Sequence, residues 1–498
     1  MFSKVNTAVN WGIEGQLVEI ETVILRGLPN HIIVGLPSTI VKESKERVKA
    51  ALKSTTTGFP DDRIIQNLYP ADVKKEGTQM DLAIAMGIYT SLQPYAFMNL
   101  DAFGFLGELS LEGKIQPVQG ILSLLDGLKK VGIDHVVIPA GNYQEASYLD
   151  NITLYPYESL AQLLLDYTKG KFAPCPSRIL CESVTYDYDV DFSEIIGQKY
   201  AIRAAQIAIA GGHNLLIIGP PGCGKSMLAH RMKTIMPSMT LDEKIEITKI
   251  YGVSQSEAPN GLIHRRPFRA PHHTISRVGL VGGGAQIRPG EASKAHRGIL
   301  YLDEVGEFKS DVIDTLREPL SNKSINITKG GRTLEMPSDF LLVATMNPCP
   351  CGNYLSKDST CICSQQEIKR YFGRLSWPML DRIDMTIYMN RVEDLQHINQ
   401  NNQENLTSKS IHEVIERTRL FSNKRQNEAG SALNVKASVA TLLTKFHSKE
   451  KLSMRAYNKL INLSRTIADM ALSESIEKEH VLEAMTYLTA VQVKRFFS

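Results

Sequence analysis

The chain has 498 residues, too many for one ordinary hydrophobic core, so two or three domains of about 100 to 200 residues are expected. Hydrophobic residues make up 43% and charged residues 22%, close to the averages of soluble globular proteins, which excludes wholesale disorder and a membrane-embedded body. Lys plus Arg total 56 against 53 for Asp plus Glu, and a net charge of +3 over this length does not by itself point to nucleic acid, so a DNA partner has to be argued locally.

The start, Met1 to Thr7, has no basic head followed by an apolar run, and no stretch reaches the roughly 18 apolar residues of a membrane span, so the cytoplasm is the expected compartment and no membrane partner is expected. Residues 1–166 mix strand-like runs (Gln16 to Leu25, His31 to Gly35, His135 to Pro139) with helical stretches (Val41 to Lys53, Gly120 to Val131), the pattern of an α+β domain. A connection follows over 167–191, with Pro174-Cys175-Pro176 and an acidic, Tyr-containing stretch of no helical period. Strands and helices then alternate over 192–395, as in a parallel sheet covered by helices. After the polar seam Gln400 to Asn405, residues 405–498 are expected to be helical throughout, and no internal repeat is visible. The predicted fold class is thus multidomain α/β.

Gly219-Pro220-Pro221-Gly222-Cys223-Gly224-Lys225-Ser226 fits the phosphate-binding loop GxxxxGK[ST] in full. The apolar strand Leu215 to Ile218 precedes it and a helical run from Lys225 to about Met236 follows, so backbone N–H groups and a helix N-terminus can face an anion. ATP with Mg²⁺ is the expected ligand, with Lys225 on the β and γ phosphates and Ser226 on the metal. The run Ile299 to Leu302 ends in Asp303-Glu304, where Asp303 would hold the metal through its water shell and Glu304 would serve as general base. Paired acids after a strand also occur as solvated loop residues, and the loop upstream gives this pair its meaning. A third apolar run, Phe340 to Ala344, leads to Thr345-Met346-Asn347, whose amide could hold the attacking water or the γ phosphate or simply end the strand.

These residues resemble the AAA+ ATPases, and within them the magnesium-chelatase-like branch that includes the ComM-type (YifB) proteins. The resemblance rests on Ile196-Gly197-Gln198, Arg269 to Thr274, Gly282-Gly283-Gly284, Arg288 to Glu291, Gly298 to Glu304, Met346 to Gly352 and Leu380 to Asp384. It implies a ring, normally a hexamer, with each ATP between two protomers. It further implies that Arg382 is the arginine finger given to a neighbour, with Arg374 second to it, that Arg455 is the sensor-2 arginine of a helical lid, and that Asn347 is sensor 1. Without the resemblance each arginine reads as a surface or ion-paired side chain.

Proteins of this branch carry an insertion in the second helix and a hairpin before sensor 1, both directed at the ring pore. They map onto Val281 to Ala292, with Arg288, and onto Ile325 to Met336, with Lys329-Gly330-Gly331-Arg332 at its tip. Arg288, Lys329 and Arg332 are therefore candidate DNA contacts, a basic turn being suited to phosphate contact without base reading. A plain hairpin with a solvated basic tip fits the same residues. The first region resembles the Lon-protease-like fold, through Gly107 to Val118 and Val136 to Pro139, yet its Ser–Lys dyad is missing: the two slots fall on Gln79 and Leu122, with Thr78 and Ser123 one position away. That domain is expected to bind or assemble rather than cleave. ComM-type proteins carry such a domain and chelatase subunits are expected to lack it, so resemblance along the whole chain favours an ATP-driven motor on single-stranded or branched DNA, acting with recombination proteins on strands taken up in transformation. A chelatase ATPase driving metal insertion into porphyrin and a protein remodeller or protease are the alternatives.

Seven Cys, odd in number and sparse, do not form a disulfide framework. Four of them, Cys349, Cys351, Cys361 and Cys363, form two Cys-x-Cys pairs that could close a structural Zn²⁺ site or remain reduced thiols. Cys175, Cys181 and Cys223 suggest no site. His272 and His273 have no thiol or acidic partner nearby in sequence, and a packing role is expected for them.

Overall fold

A computed structural model of the chain describes residues 2–55, 58–93, 100–175, 188–254, 261–284, 287–329, 331–354, 360–391, 406–429 and 437–497. Cys181, Gly330, most of the expected connection and the polar seam at 400–405 lie outside the described residues. The chain splits into two compact units, Met1–Val184 with Leu241–His264, and Thr185–Thr240 with Arg265–Ser498.

The first unit is built on a seven-stranded sheet. Its strands are β1 (Phe2–Trp11), β2 (Glu14–Leu25), β3 (Asn30–Val34), β4 (Arg63–Tyr69), β5 (Phe103–Phe105), β6 (His135–Pro139) and β7 (Thr153–Tyr157), in the order β3-β4-β2-β1-β5-β6-β7. The β1/β2 and β2/β4 ladders are antiparallel and the other four are parallel. Helix Asp81–Leu92 buries ten of its twelve residues, and it comes so near the sheet at Gly87 that a Cβ there would lie 2.5 Å from Thr22 Oγ1. The strand and helix expectations for this region agree with these elements to within two residues. One packing relation was not expected. Within the 192–395 span, helix Leu241–Gly252 and the residues after it join the first unit: Ile245 and Leu262 enter the core around helix Ile121–Lys130, and Lys249 Nζ pairs with Asp126 Oδ2 at 3.2 Å.

The second unit holds a five-stranded parallel sheet of β8 (Leu215–Ile218), β9 (Phe268–Arg269), β10 (Ile299–Leu302), β11 (Leu341–Met346) and β12 (Met385–Tyr388), in the order β9-β10-β11-β8-β12. Every residue of β8, β10 and β11 is buried, as continuous apolar runs in a parallel sheet covered on both faces should be. The alternation predicted for this region is therefore a parallel α/β sheet. The order places β8 between β11 and β12, so the chain leaves β8 toward β9 on one side and leaves β11 toward β12 on the other, and ligands of open α/β sheets sit beyond the carboxyl ends of strands at such a point.

Among the described residues, five helices, Ser408–Ala429, Ala437–Glu450, Met454–Met470, Lys478–Tyr487 and Thr489–Phe497, follow the sheet. Leu460, Leu463 and Ile467 share a core with Phe192 and the Ala face of helix Lys199–Gly211, and Arg203 Nε bonds Glu483 Oε1 at 2.8 Å. Among the described residues no helix is long and apolar enough to cross a membrane.

Candidate nucleotide site

Register brings the site together. Ile218 of β8 is level with Met346 of β11, so the residues that follow, Gly219 and Asn347, emerge side by side. Lys225 takes advantage of this: its Nζ donates to Gly219 O at 2.7 Å, Pro220 O at 3.0 Å and Asn347 Oδ1 at 3.1 Å. Helix Lys225–Met232 starts after Gly224, whose φ of +92° is a backbone state that side-chain-bearing residues avoid. A Cβ on Gly219 would lie 2.4 Å from Met389 O, so the loop enters its turn only because that residue is glycine. Burial lowers the Lys225 pKa, while Cys223, Asp303 and Glu304 raise it; burial raises that of Cys223.

One strand over, Leu302 of β10 is level with Ala344 of β11, which sets Asp303 beside Thr345. Thr345 Oγ1 donates to Asp303 Oδ1 at 2.5 Å and accepts the Glu304 backbone N–H at 3.1 Å. Ser226 Oγ lies 3.4 Å from both carboxylate oxygens of Asp303. Burial opposes ionisation of Asp303, and hydrogen bonds from Thr345, Tyr301 and Ser226 outweigh it, so its pKa is lowered. Burial raises the Tyr301 phenol, which keeps it a neutral donor. Glu304 stands at φ +49° with its side chain exposed, a strained backbone state that over-determined functional turns retain. The hydroxyl of Ser226 beside the carboxylate of Asp303 is an all-oxygen donor pair that fits Mg²⁺.

Lys225, Ser226, Asp303 and Asn347 thus converge, with Glu304 on the same turn as Asp303. Arg382 and Arg455 belong to another cluster. Arg382 Nε donates to Arg317 O and Ser321 Oγ, both at 2.9 Å, and Nη1 donates to Pro378 O at 2.7 Å. Arg455 Nη1 pairs with Asp381 Oδ2 at 3.1 Å. Burial, then the charges of Arg455 and Arg317, lowers the Arg382 pKa. Arg374, by contrast, is held on the turn after Glu304, through Gly306 O at 2.5 Å and Glu307 Oε2 at 3.2 Å. Thr345, Tyr301 and Arg317 were missed in the sequence. For Tyr301 and Thr345 the one signal was a hydroxyl inside an apolar strand, in Ile-Leu-Tyr-Leu and in Val-Ala-Thr-Met.

The expected hairpin and the expected insertion meet. Gly282–Gly283 pairs with Arg288–Pro289, and Ser324–Lys329 pairs with Arg332–Pro337, with Gly331 at φ +77° in the turn between Lys329 and Arg332. Lys329 Nζ donates to Gly284 O at 3.3 Å, so the two basic turns lie side by side. The slots compared with a Lon-type dyad hold no such pair. Gln79 Nε2 donates to Glu76 O at 2.9 Å, Thr78 donates to Glu108, Leu122 is fully buried, and the buried Ser123 hydroxyl has no partner. The sulfur atoms of Cys349, Cys351, Cys361 and Cys363 all lie within 4.8 Å of one another. His272 Nδ1 meets Thr274 Oγ1 at 2.9 Å, and the His272 and His273 ring centroids lie 4.0 Å apart with the planes tilted by 35°.

Comparison with known proteins agrees with this geometry. The family "Magnesium chelatase, subunit ChlI" matches residues 191–397, and "Magnesium chelatase, subunit ChlI C-terminal" matches 405–488. The competence protein ComM of Haemophilus influenzae is 36% identical over 98% of each chain, and the protein YifB of Escherichia coli is 33% identical over 97% of this chain and 96% of its own. The chain belongs to the ComM/YifB family of magnesium-chelatase-like AAA+ ATPases. ATP hydrolysis with Mg²⁺ follows from membership, and proteins of this kind typically oligomerise. A third family, "Subunit ChlI of Mg-chelatase", matches residues 20–142. The magnesium-chelatase 38 kDa subunit of Acidiphilium rubrum is 26% identical over 32% of this chain.

Proposed function

We propose that this protein is an ATP-driven hexameric motor that moves along single-stranded or branched DNA and migrates recombination intermediates, as in natural transformation. The observation that carries the DNA reading is the joining of the two hairpins through Lys329 and Gly284, which gathers Arg288, Lys329 and Arg332 into one basic feature. Such a feature suits a sliding grip on phosphates, since point charges hold the backbone without selecting bases. The full-length match to a protein named for competence supports the setting.

In the reaction, the backbone N–H groups of Gly222 to Lys225 orient the phosphates, and Lys225 exchanges its carbonyl contacts for the β and γ oxygens. Ser226 and Asp303 would hold Mg²⁺, which supplies charge neutralisation on those oxygens when bound. Glu304 accepts the proton of a water whose oxygen attacks the γ phosphorus as the bond to the β–γ bridging oxygen breaks. Asn347, anchored through Lys225, fixes that water or the γ phosphate. Arg382 reaches the γ phosphate of a neighbouring protomer, with Arg455 beside it. Their shared patch supports this reading, as does Trp377, 68% exposed next to Pro378, an apolar side chain suited to a protomer contact. The first unit is a Lon-protease-like module without its dyad that serves binding or assembly, and the last helices act as the lid. The four-cysteine cluster is read as a structural Zn²⁺ site.

Steady-state ATP hydrolysis without DNA and with single strand, duplex or four-way junction tests the proposal. Stimulation by DNA that Lys225→Ala abolishes is expected. Hydrolysis indifferent to every DNA would overturn the motor and point to a porphyrin-complex or protein substrate.

A further inference from the structure

The segment after β11 touches the nucleotide loop twice within six residues. At one end Asn347 accepts from Lys225 Nζ at 3.1 Å. At the other, Gly352, at φ +79°, presses so closely on the loop that an added Cβ would lie 2.6 Å from Pro221 Cδ and 2.8 Å from its Cγ. Between these contacts stand Cys349 and Cys351, and a second pair, Cys361 and Cys363, closes on them from the far side of the following loop. The sulfur separations are 3.3 Å for Cys349 to Cys351, 3.7 Å for Cys349 to Cys361 and 3.6 Å for Cys351 to Cys361. Four thiolates on one tetrahedral Zn²⁺ with bonds of about 2.3 Å stand about 3.8 Å apart, so the cluster already has nearly the size of a metal cage. Backbone donors are in place as well, with Tyr354 N–H 3.3 Å from Cys349 Sγ.

Apolar burial does not explain the convergence. Ile362, between the two distal thiols, is 86% exposed, and of the four cysteines only Cys349 is fully buried. We propose that Cys349, Cys351, Cys361 and Cys363 bind one structural Zn²⁺ and that this knot seats the ATP loop, because the same short segment carries two ligands, the lip against Pro221 and the amide on Lys225. Four cysteines leave no open position on the metal, so its action is mechanical. The inference rests on the zinc reading above and extends it to the turnover of ATP. Without zinc, residues 347–352 lose their clamp, Asn347 and Gly352 no longer hold their places, and the loop binds ATP less well while Asn347 no longer fixes the water or the γ phosphate.

The test uses the full chain, purified without added metal, with zinc measured by elemental analysis and ATP turnover measured across substrate concentration in excess Mg²⁺. About one zinc per chain is expected, and the paired substitutions Cys361→Ser and Cys363→Ser, distant from Pro221, should abolish it. Stripping zinc with a zinc-selective chelator should raise KM for ATP about tenfold, and readdition of Zn²⁺ should restore it in the native chain but not in the Cys variant. Gly352→Ala should keep its zinc and still raise KM, which separates the lip from the metal. Circular dichroism of the stripped protein guards against simple unfolding. Preparations that hold no zinc and take up none when Zn²⁺ is offered overturn the metal site itself. One zinc per chain whose removal leaves both KM and kcat unchanged would overturn the seating role while leaving the site standing.

Discussion

The β8–β11 corner of the second unit and the Thr78–Ser123 region of the first both carry residues capable of chemistry, but only one of them aims those residues at each other. At the corner, register alone sets Gly219 beside Asn347 and Asp303 beside Thr345, and Lys225, Asp303 and Thr345 then find partners across the strands. In the first unit, Thr78 is taken by Glu108 and Ser123 is sealed in the core with an idle hydroxyl. Residue type is necessary for a site and convergence is what makes one. The same fold elements that give a site in one unit give packing in the other.

The largest effects should come from the corner. Lys225→Ala removes the cation that ties Gly219, Pro220 and Asn347 together, and ATP turnover should fall about 10³-fold. Arg382→Ala should fall by a comparable factor for a different reason, and the distinction is measurable: mixing it with Lys225→Ala protein should recover activity, because a junction can then combine an intact loop with a neighbour's intact arginine. A mixture as inactive as its components would contradict delivery in trans. Next in size, Lys329→Ala with Arg332→Ala should weaken DNA binding about tenfold and reduce the slope of log K against log salt by one to two units, about 0.9 per lost phosphate contact. An unchanged slope would remove the hairpins from the DNA path.

The first unit should answer differently. Ser123→Ala deletes an unpaired hydroxyl from the interior and is expected to shift stability by no more than about 1 kcal/mol, in either direction, without altering ATP turnover. A loss of turnover would give this residue a role that packing does not. The remaining prediction concerns Glu145, whose burial raises its pKa to about 7. The folded state therefore holds a proton that the unfolded chain releases at lower pH, so stability is lost as pH rises from about 4.5 through about 7. Glu145→Gln should raise the melting temperature at pH 8 and leave it nearly unchanged at pH 5, as scanning calorimetry would show.

Much of the corner was legible in the sequence because its chemistry is local. Gly219 to Ser226 lies between one apolar run and one helix, and Asp303-Glu304 ends another such run, so strand ends and anion-binding backbone could be placed without the fold. The insertion and the hairpin were legible through the family resemblance, although their contact was not, since it depends on how separate segments pack. The same limit explains helix Leu241–Gly252. Ile245, Ile247 and Ile250 announce an apolar face, but periodicity does not say which core receives it. Thr345 and Tyr301 escaped notice because a single hydroxyl in a buried strand shows its purpose only when the neighbouring strand supplies Asp303. Arg317 became visible only through its nearness to Arg382.

Time-resolved migration of a four-way junction by the purified full-length protein tests the central claim most directly, with strand products followed in the presence of ATP, a non-hydrolysable analogue, or ATP with the Lys329→Ala and Arg332→Ala chain. The account predicts directional conversion of junction to products with ATP alone. It also predicts arrested but DNA-bound protein with the analogue and a large loss of rate when the hairpin charges are removed. Robust ATP hydrolysis without any junction or strand movement, or movement indifferent to the two hairpin residues, would contradict it.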